Sequence, residues 1–131
     1  MKSGMEVGRQ ASIMFTVTPD MFAQFEGEVV HPVYSTVSMV YHMEWASRKI
    51  ILPYLEDEEE GMGGAVTVQH LAPSSEGSSV TVTATVTKII KNVVITAVEA
   101  RNQKEIIGKG EVKQVVLPKS KISGLIDHSF F

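Results

Sequence analysis

The sequence contains no cysteine. That absence removes disulfides, thiolate nucleophiles and thiolate metal sites, and it fits a cytoplasmic protein. With four histidines and no close pair, no metal site is expected. Basic charge is also scarce. Lys and Arg number 12 against 15 Asp and Glu, for a net charge of −3, so no basic surface advertises nucleic-acid binding. Apolar stretches are interrupted every few residues, which argues against a transmembrane helix or any other membrane association. Met1-Lys2-Ser3-Gly4-Met5-Glu6 lacks the apolar core of a secretion signal. What is present is ordinary for a globular protein: 131 residues, 44% hydrophobic and 21% charged. One domain spanning 1–131 is expected, with 118–131 as a weakly patterned, partly docked C-terminal appendage.

Ala11, Ile13, Phe15 and Val17 alternate and predict a first strand over 10–18. Thr18-Pro19-Asp20 reads as a helix start, with Thr18 as cap, and predicts a short helix through Met21-Phe22-Ala23-Gln24-Phe25 that ends near Gly27. Pro32 precedes a long helix from Tyr34 to Leu55, which Pro53 terminates or kinks. The acidic run Glu56-Asp57-Glu58-Glu59-Glu60 then predicts a solvated loop, because a helix C-terminus repels it. From Gly63 onward the pattern is strand: Gly63 to Ala72, Ser79 to Ile90, Val93 to Arg101 and Glu105 to Leu117, with Lys91-Asn92 as one turn. Gly108 and Gly110 share a face, so another element approaches closely there. Strand, short helix, long helix and four strands make an α+β layer solution. Apolar residues on most sides of the long helix require a curled sheet or a partner chain around it.

Two polar residues stand out in apolar surroundings. Glu44 shares a helix face with Val37, Val40, Tyr41 and Ile51, and a carboxylate there, expected to be buried, needs a partner or a function. His70 shares a strand face with Val66 and Val68. If helix packs on sheet, carboxylate and imidazole could meet and form a reaction site. Each alone has an ordinary reading: a salt-bridged helix carboxylate, a satisfied core histidine and, for Thr36, a helix cap.

The segments Tyr34-Ser35-Thr36-Val37-Ser38-Met39-Val40-Tyr41-His42-Met43-Glu44-Trp45-Ala46, Pro53-Tyr54-Leu55 and Gly63-Gly64-Ala65-Val66-Thr67-Val68-Gln69-His70 resemble the fluoroacetyl-CoA thioesterase family. The resemblance implies a hotdog fold, a long central helix wrapped by a five-stranded antiparallel sheet. It also implies a catalytic set of Thr36, Glu44 and His70, and substrate contacts from Gly63, Gly64 and Val40. Phe22 and Phe25 resemble the family's phenylalanine lid. Two departures concern fluoroacetate specificity: the longer segment from Glu26 to Val33, and Gln114 where the family enzyme has an arginine. The expectation is an acyl-CoA thioesterase-like hydrolase acting on short or medium acyl groups, as a homodimer or larger assembly. No separate cofactor is expected, coenzyme A being part of the substrate.

Thiols ionise near pH 8.5, so a thioester's leaving group needs little help, and adding oxygen to the carbonyl is the harder step. Glu44 could attack the carbonyl to form an anhydride or could activate water, while His70 positions or deprotonates that water. Backbone N–H groups at Gly63 and Gly64 could hold the oxyanion. Lys88, Lys91, Lys109, Lys113, Lys119 and Lys121 are candidate contacts for coenzyme A phosphates. The alternative is a non-catalytic hotdog protein that binds acyl-CoA or another small molecule.

Overall fold

Strand β1 (Gln10–Thr16) leads into a hairpin of β2 (Phe22–Phe25) and β3 (Glu28–Tyr34), then helix α1 (Thr36–Ile51). β4 (Glu59–His70), β5 (Ser79–Ile90), β6 (Val93–Arg101) and β7 (Ile106–Pro118) follow, and α2 (Lys119–Phe130) ends the chain. These elements come from a computed structural model whose described residues are 1–130. Phe131, the last residue of the expected appendage, lies outside them.

Alternation decides the sheet. Val80, Val82, Ala84 and Val86 point inward and are buried, while the intervening threonines face outward. Five antiparallel strands run in the order β1-β5-β6-β7-β4, which leaves β1 and β4 as open edges. α1 lies against all five. Its Met39, Met43, Ala46, Ile50 and Ile51 are buried against the inner valines, each large side chain contributing on the order of 2 kcal/mol. Gly108 and Gly110 make room for this helix. A Cβ on Gly108 would stand 2.4 Å from the Met39 sulfur, and one on Gly110 would stand 3.1 Å from the Met43 sulfur and 2.3 Å from the Thr67 carbonyl oxygen of β4. A helix wrapped by a curled five-stranded sheet is the expected hotdog architecture.

Four local expectations are corrected. The short helix over 21–25 is a strand: only Pro19–Met21 make a 3₁₀ turn, and the Thr18 hydroxyl bonds the Asp20 carboxylate instead of capping a helix. Glu26 and Gly27 both take positive φ (53° and 81°), the type I′ geometry of a two-residue hairpin turn, so Gly27 closes a hairpin and not a helix. The long helix starts at Thr36, because Tyr34 is still the buried end of β3 and Ser35 is the cap.

The acidic run does not splay wholly into water. Glu59 bonds the Met1 amine at 2.9 Å and the Glu56 N–H at 2.9 Å, and Glu60 accepts from Arg48 at 2.8 Å, so β4 begins at Glu59. Both carboxyls are held below the usual range, Glu59 first by the Glu56 N–H and Glu60 first by the Arg48 guanidinium. The weakly patterned tail forms a helix, Lys119–Phe130, docked lightly on β7. Among the described residues no helix is long and apolar enough to cross a membrane.

Candidate active site

At the start of α1, Ser35 accepts the Ser38 N–H at 3.0 Å and so does the capping. That frees the Thr36 hydroxyl, which lies 2.8 Å from Nδ1 of His70, one of the two donating to the other. His70 stands half-buried on the inner face of β4 with Val66 and Val68, as alternation predicts. Burial lowers its pKa below the ordinary value, against a weaker opposing effect from the Ala72 backbone, so the ring is neutral at pH 7. Its Nε2 is buried and has no hydrogen-bond partner among the described residues. Phe22, Phe25 and Thr36 line one cavity of about 290 Å³ with Ser35, Val37 and Ser38. The two phenylalanines reach it from a hairpin.

Glu44 sits two turns further along α1. It is exposed, which corrects the expectation of a buried acid: its helix face is not covered by the chain's own sheet. The same stripe leaves Val37 (72%), Tyr41 (62%) and Trp45 (45%) open, beside the open edge of β4. A Cβ on Gly63 would lie 3.1 Å from Glu44 Oε1, so the absent side chain is what admits the carboxylate to the strand. Glu44, Arg48, Gly61, Gly63, Val112 and Gln114 line an open cavity of about 140 Å³.

Gly63 and His70 are seven residues apart, an odd offset that would normally place them on opposite faces. The register slips between Gly63 and Ala65, making Gly64 the extra residue of a bulge. The bulge turns the strand by one position and leaves Gly64 unpaired with β7. Both ends of β4 therefore serve the inner face, and Gly64 itself lies against the Lys113 and Val115 side chains.

The chain does not bring all the expected residues together. Thr36 and His70 meet, and Glu44 meets Gly63. Eight residues of helix, however, put the Thr36 and Glu44 Cα atoms about 12 Å apart, and seven residues of strand separate Gly63 from His70 by about 20 Å. Glu44 and His70 thus occupy different ends of β4 within one chain, contrary to the expected encounter. Val40 is half-buried and lines neither cavity.

Two further features carry little signal in the sequence. Arg48, bonded to Glu60, borders the Glu44 cavity; its signal was the i,i+4 spacing from Glu44. Tyr34 bonds Nδ1 of His42 at 2.7 Å beneath Phe15, which stacks on His42 at 3.9 Å. His42, on α1, packs within the core, and burial pushes its pKa down and that of Tyr34 up.

Comparison with known proteins adds an independent line. The family model described as fluoroacetyl-CoA-specific thioesterase matches residues 17–120. The chain is 31% identical to the fluoroacetyl-CoA thioesterase of Streptantibioticus cattleyicolor, over 96% of this chain and 95% of that protein. A thioesterase superfamily member from Thermus thermophilus is 44% identical, with a TM-score of 0.92 over 96% of this chain and 93% of the other. A variant of the fluoroacetyl-CoA enzyme solved in complex with acetyl-CoA is 28% identical, with a TM-score of 0.87 over 95% of this chain and 98% of that one.

Proposed function

The chain belongs to the fluoroacetyl-CoA-specific thioesterase family, and from that membership and the site geometry we propose that it hydrolyses short acyl-CoA thioesters as a homodimer. A water oxygen becomes bonded to the acyl carbon, the C–S bond breaks, and the sulfur leaves as a thiolate that takes up a proton. Glu44 supplies the carboxylate, either attacking the carbonyl or drawing a proton from water. The backbone at Gly63 and Gly64 offers donors close enough to the developing oxyanion because no side chain stands in the way. Where Glu44 attacks, the neutral ring of His70, held by Thr36, accepts the proton of the water that then hydrolyses the anhydride; where Glu44 takes that proton itself, His70 positions the water. Phe22 and Phe25 cover the acyl group. Coenzyme A is part of the substrate, and no metal or further cofactor enters the scheme.

The observation that carries this reading is the division of the residues into two half-sites. A second copy pairing antiparallel along the open edge of β4, about a twofold axis at Thr67, sets Gly63 of one copy opposite His70 of the other, because the bulge at Gly64 takes one residue out of the count. Each Glu44 then faces a Thr36–His70 pair, giving two sites per dimer. The same contact covers Val37, Tyr41 and Trp45, an apolar stripe too large to be left in water without cause.

The test is thiol release from an acyl-CoA panel of increasing chain length, run beside analytical ultracentrifugation. Wild type should turn over the short members and sediment as a dimer, and Glu44→Gln should abolish turnover while remaining dimeric. A protein indistinguishable from buffer across the panel overturns the proposal. If acyl-CoA stabilises it thermally without turnover, the function is binding alone.

A further inference from the structure

Thr36 is not the only residue of its neighbourhood that touches the imidazole. Tyr34, at the end of β3, is fully buried, and its ring meets the His70 ring in a T-shaped contact. The centroids are 6.3 Å apart and the planes stand at 70°. Aromatic pairs favour this edge-to-face arrangement at separations of about 4.5–7 Å. Tyr34 and Thr36 flank the cap residue Ser35, so two of three consecutive residues hold His70. Thr36 does so through its hydroxyl, 2.8 Å from Nδ1. One hydrogen bond at Nδ1 leaves the imidazole free to pivot about that nitrogen. A second contact, made by a ring, removes that freedom.

Tyr34 is itself fixed from several directions. Its backbone N–H donates to the Ser74 carbonyl at 2.8 Å, and Val33 bridges Ser75, so the end of β3 is tied to the segment that follows His70. Its hydroxyl lies 2.7 Å from Nδ1 of buried His42, one donating to the other. Phe15 stacks on His42 with centroids 3.9 Å apart and lies 5.6 Å from the Tyr34 ring. A bonded polar pair in a low-dielectric interior stiffens its surroundings. The Tyr34 ring therefore presents one fixed surface to His70, and the reaction scheme above gives it no task.

We propose that Tyr34 is a positioning residue: its ring sets the plane of the His70 imidazole, while Thr36 sets the Nδ1 end. This rests on the thioesterase reading above and adds to it the group that orients its histidine. Rate falls steeply when a reacting group is misplaced, by about a hundredfold for about 1 Å. Tyr34 lines neither cavity, so the effect falls on kcat and spares KM.

The experiment compares two double variants that both dispense with the buried hydrogen bond. Tyr34→Phe with His42→Leu keeps a ring at position 34, and Tyr34→Leu with His42→Leu does not. Replacing both partners together leaves no unmet polar group behind, which limits the loss of stability. The readouts are kcat and KM for acetyl-CoA and the NMR shifts of the two His70 ring nitrogens, taken where the ring is neutral. The phenylalanine variant should keep kcat close to wild type. The leucine variant should lose about tenfold to a hundredfold in kcat, with KM unchanged. The ring nitrogens should show the widely separated shifts of one neutral tautomer in wild type and the phenylalanine variant, and should converge in the leucine variant. A folded leucine variant with the kcat of the phenylalanine variant overturns the proposal while leaving the thioesterase reading intact, as does an equal loss of kcat in both. Converged ring nitrogens in wild type overturn it as well, whether or not any variant folds. No turnover of any short acyl-CoA by wild type defeats both readings at once.

Discussion

The Thr36 hydroxyl and Nδ1 of His70 stand 2.8 Å apart although 34 residues separate them in the chain. The contact joins the first turn of α1 to the last residue of β4, and it depends on Ser35. Had Thr36 been the cap, its oxygen would have been bound to a backbone N–H and lost to the imidazole. The two adjacent hydroxyls therefore have separate work, one in folding and one in the site.

That separation is measurable. Ser35→Ala should lower stability by about 1 kcal/mol, the usual cost of losing a cap, with kcat close to wild type. Thr36→Val removes an exposed hydroxyl, and surface changes of that kind stay within about 0.5 kcal/mol. Its kcat should nevertheless fall by about a hundredfold, the scale on which a positioned proton-transfer group contributes. Chemical denaturation and steady-state kinetics on the two variants check this. Equal losses of stability in both, with kcat unchanged in Thr36→Val, would return Thr36 to a structural role.

How far the sequence was legible depends on the range of the interaction. The Val80-to-Val86 alternation, the Lys91-Asn92 turn and the strand placement of His70 are written locally, in side chains that repeat every second residue. The β2–β3 hairpin was not legible because Gly27 at positive φ suits a helix end and a type I′ turn equally well. The bulge at Gly64 is set by the register against β7, so no pattern within β4 announces it. Glu44 was expected to be buried because helix periodicity counts apolar neighbours without saying what covers them. Val37 and Tyr41 lie on its face and are open in the chain. Arg48 and Glu60 were hidden for the same reason: their ion pair joins α1 to a strand start that the acidic run disguised as loop.

The glycines of the two strands that flank the cavity answer to different demands, and substitution should tell them apart. Gly110→Ala drives a Cβ to within 2.3 Å of the Thr67 carbonyl oxygen and 3.1 Å of the Met43 sulfur. Backbone must shift, and overpacking of this kind costs about 1–3 kcal/mol. Gly63→Ala meets only Glu44 Oε1, at 3.1 Å, on an exposed side chain that can move aside. Its stability should stay within about 0.5 kcal/mol, while turnover drops because the carboxylate is displaced from the thioester. Thermal melts paired with kcat measurements separate the cases. A Gly63→Ala protein with undiminished turnover would remove Gly63 from the site.

One buried and one half-buried histidine shape the acid side of the stability profile. Burial holds the pKa of both His42 and His70 below its ordinary value, which in the unfolded chain is about 6.5. Between the folded and unfolded values the unfolded chain binds more protons, so stability there rises with pH. The contribution is present in full above about pH 6.5 and is lost as pH falls from there through the lowered folded values. Glu59 and Glu60, held low in the folded chain, behave in the same direction but in a lower window, beginning near the ordinary carboxylate pKa of about 4.3. The melting temperature should therefore be flat from pH 8 to 7, fall as the pH drops below about 6.5, and fall again below about 4.3. Replacing both histidines, His42→Gln with His70→Gln, should lower the plateau but flatten the upper step and leave the lower one. Circular-dichroism melts at half-unit pH intervals test this, and an upper step of unchanged size in the double variant would assign it to other groups.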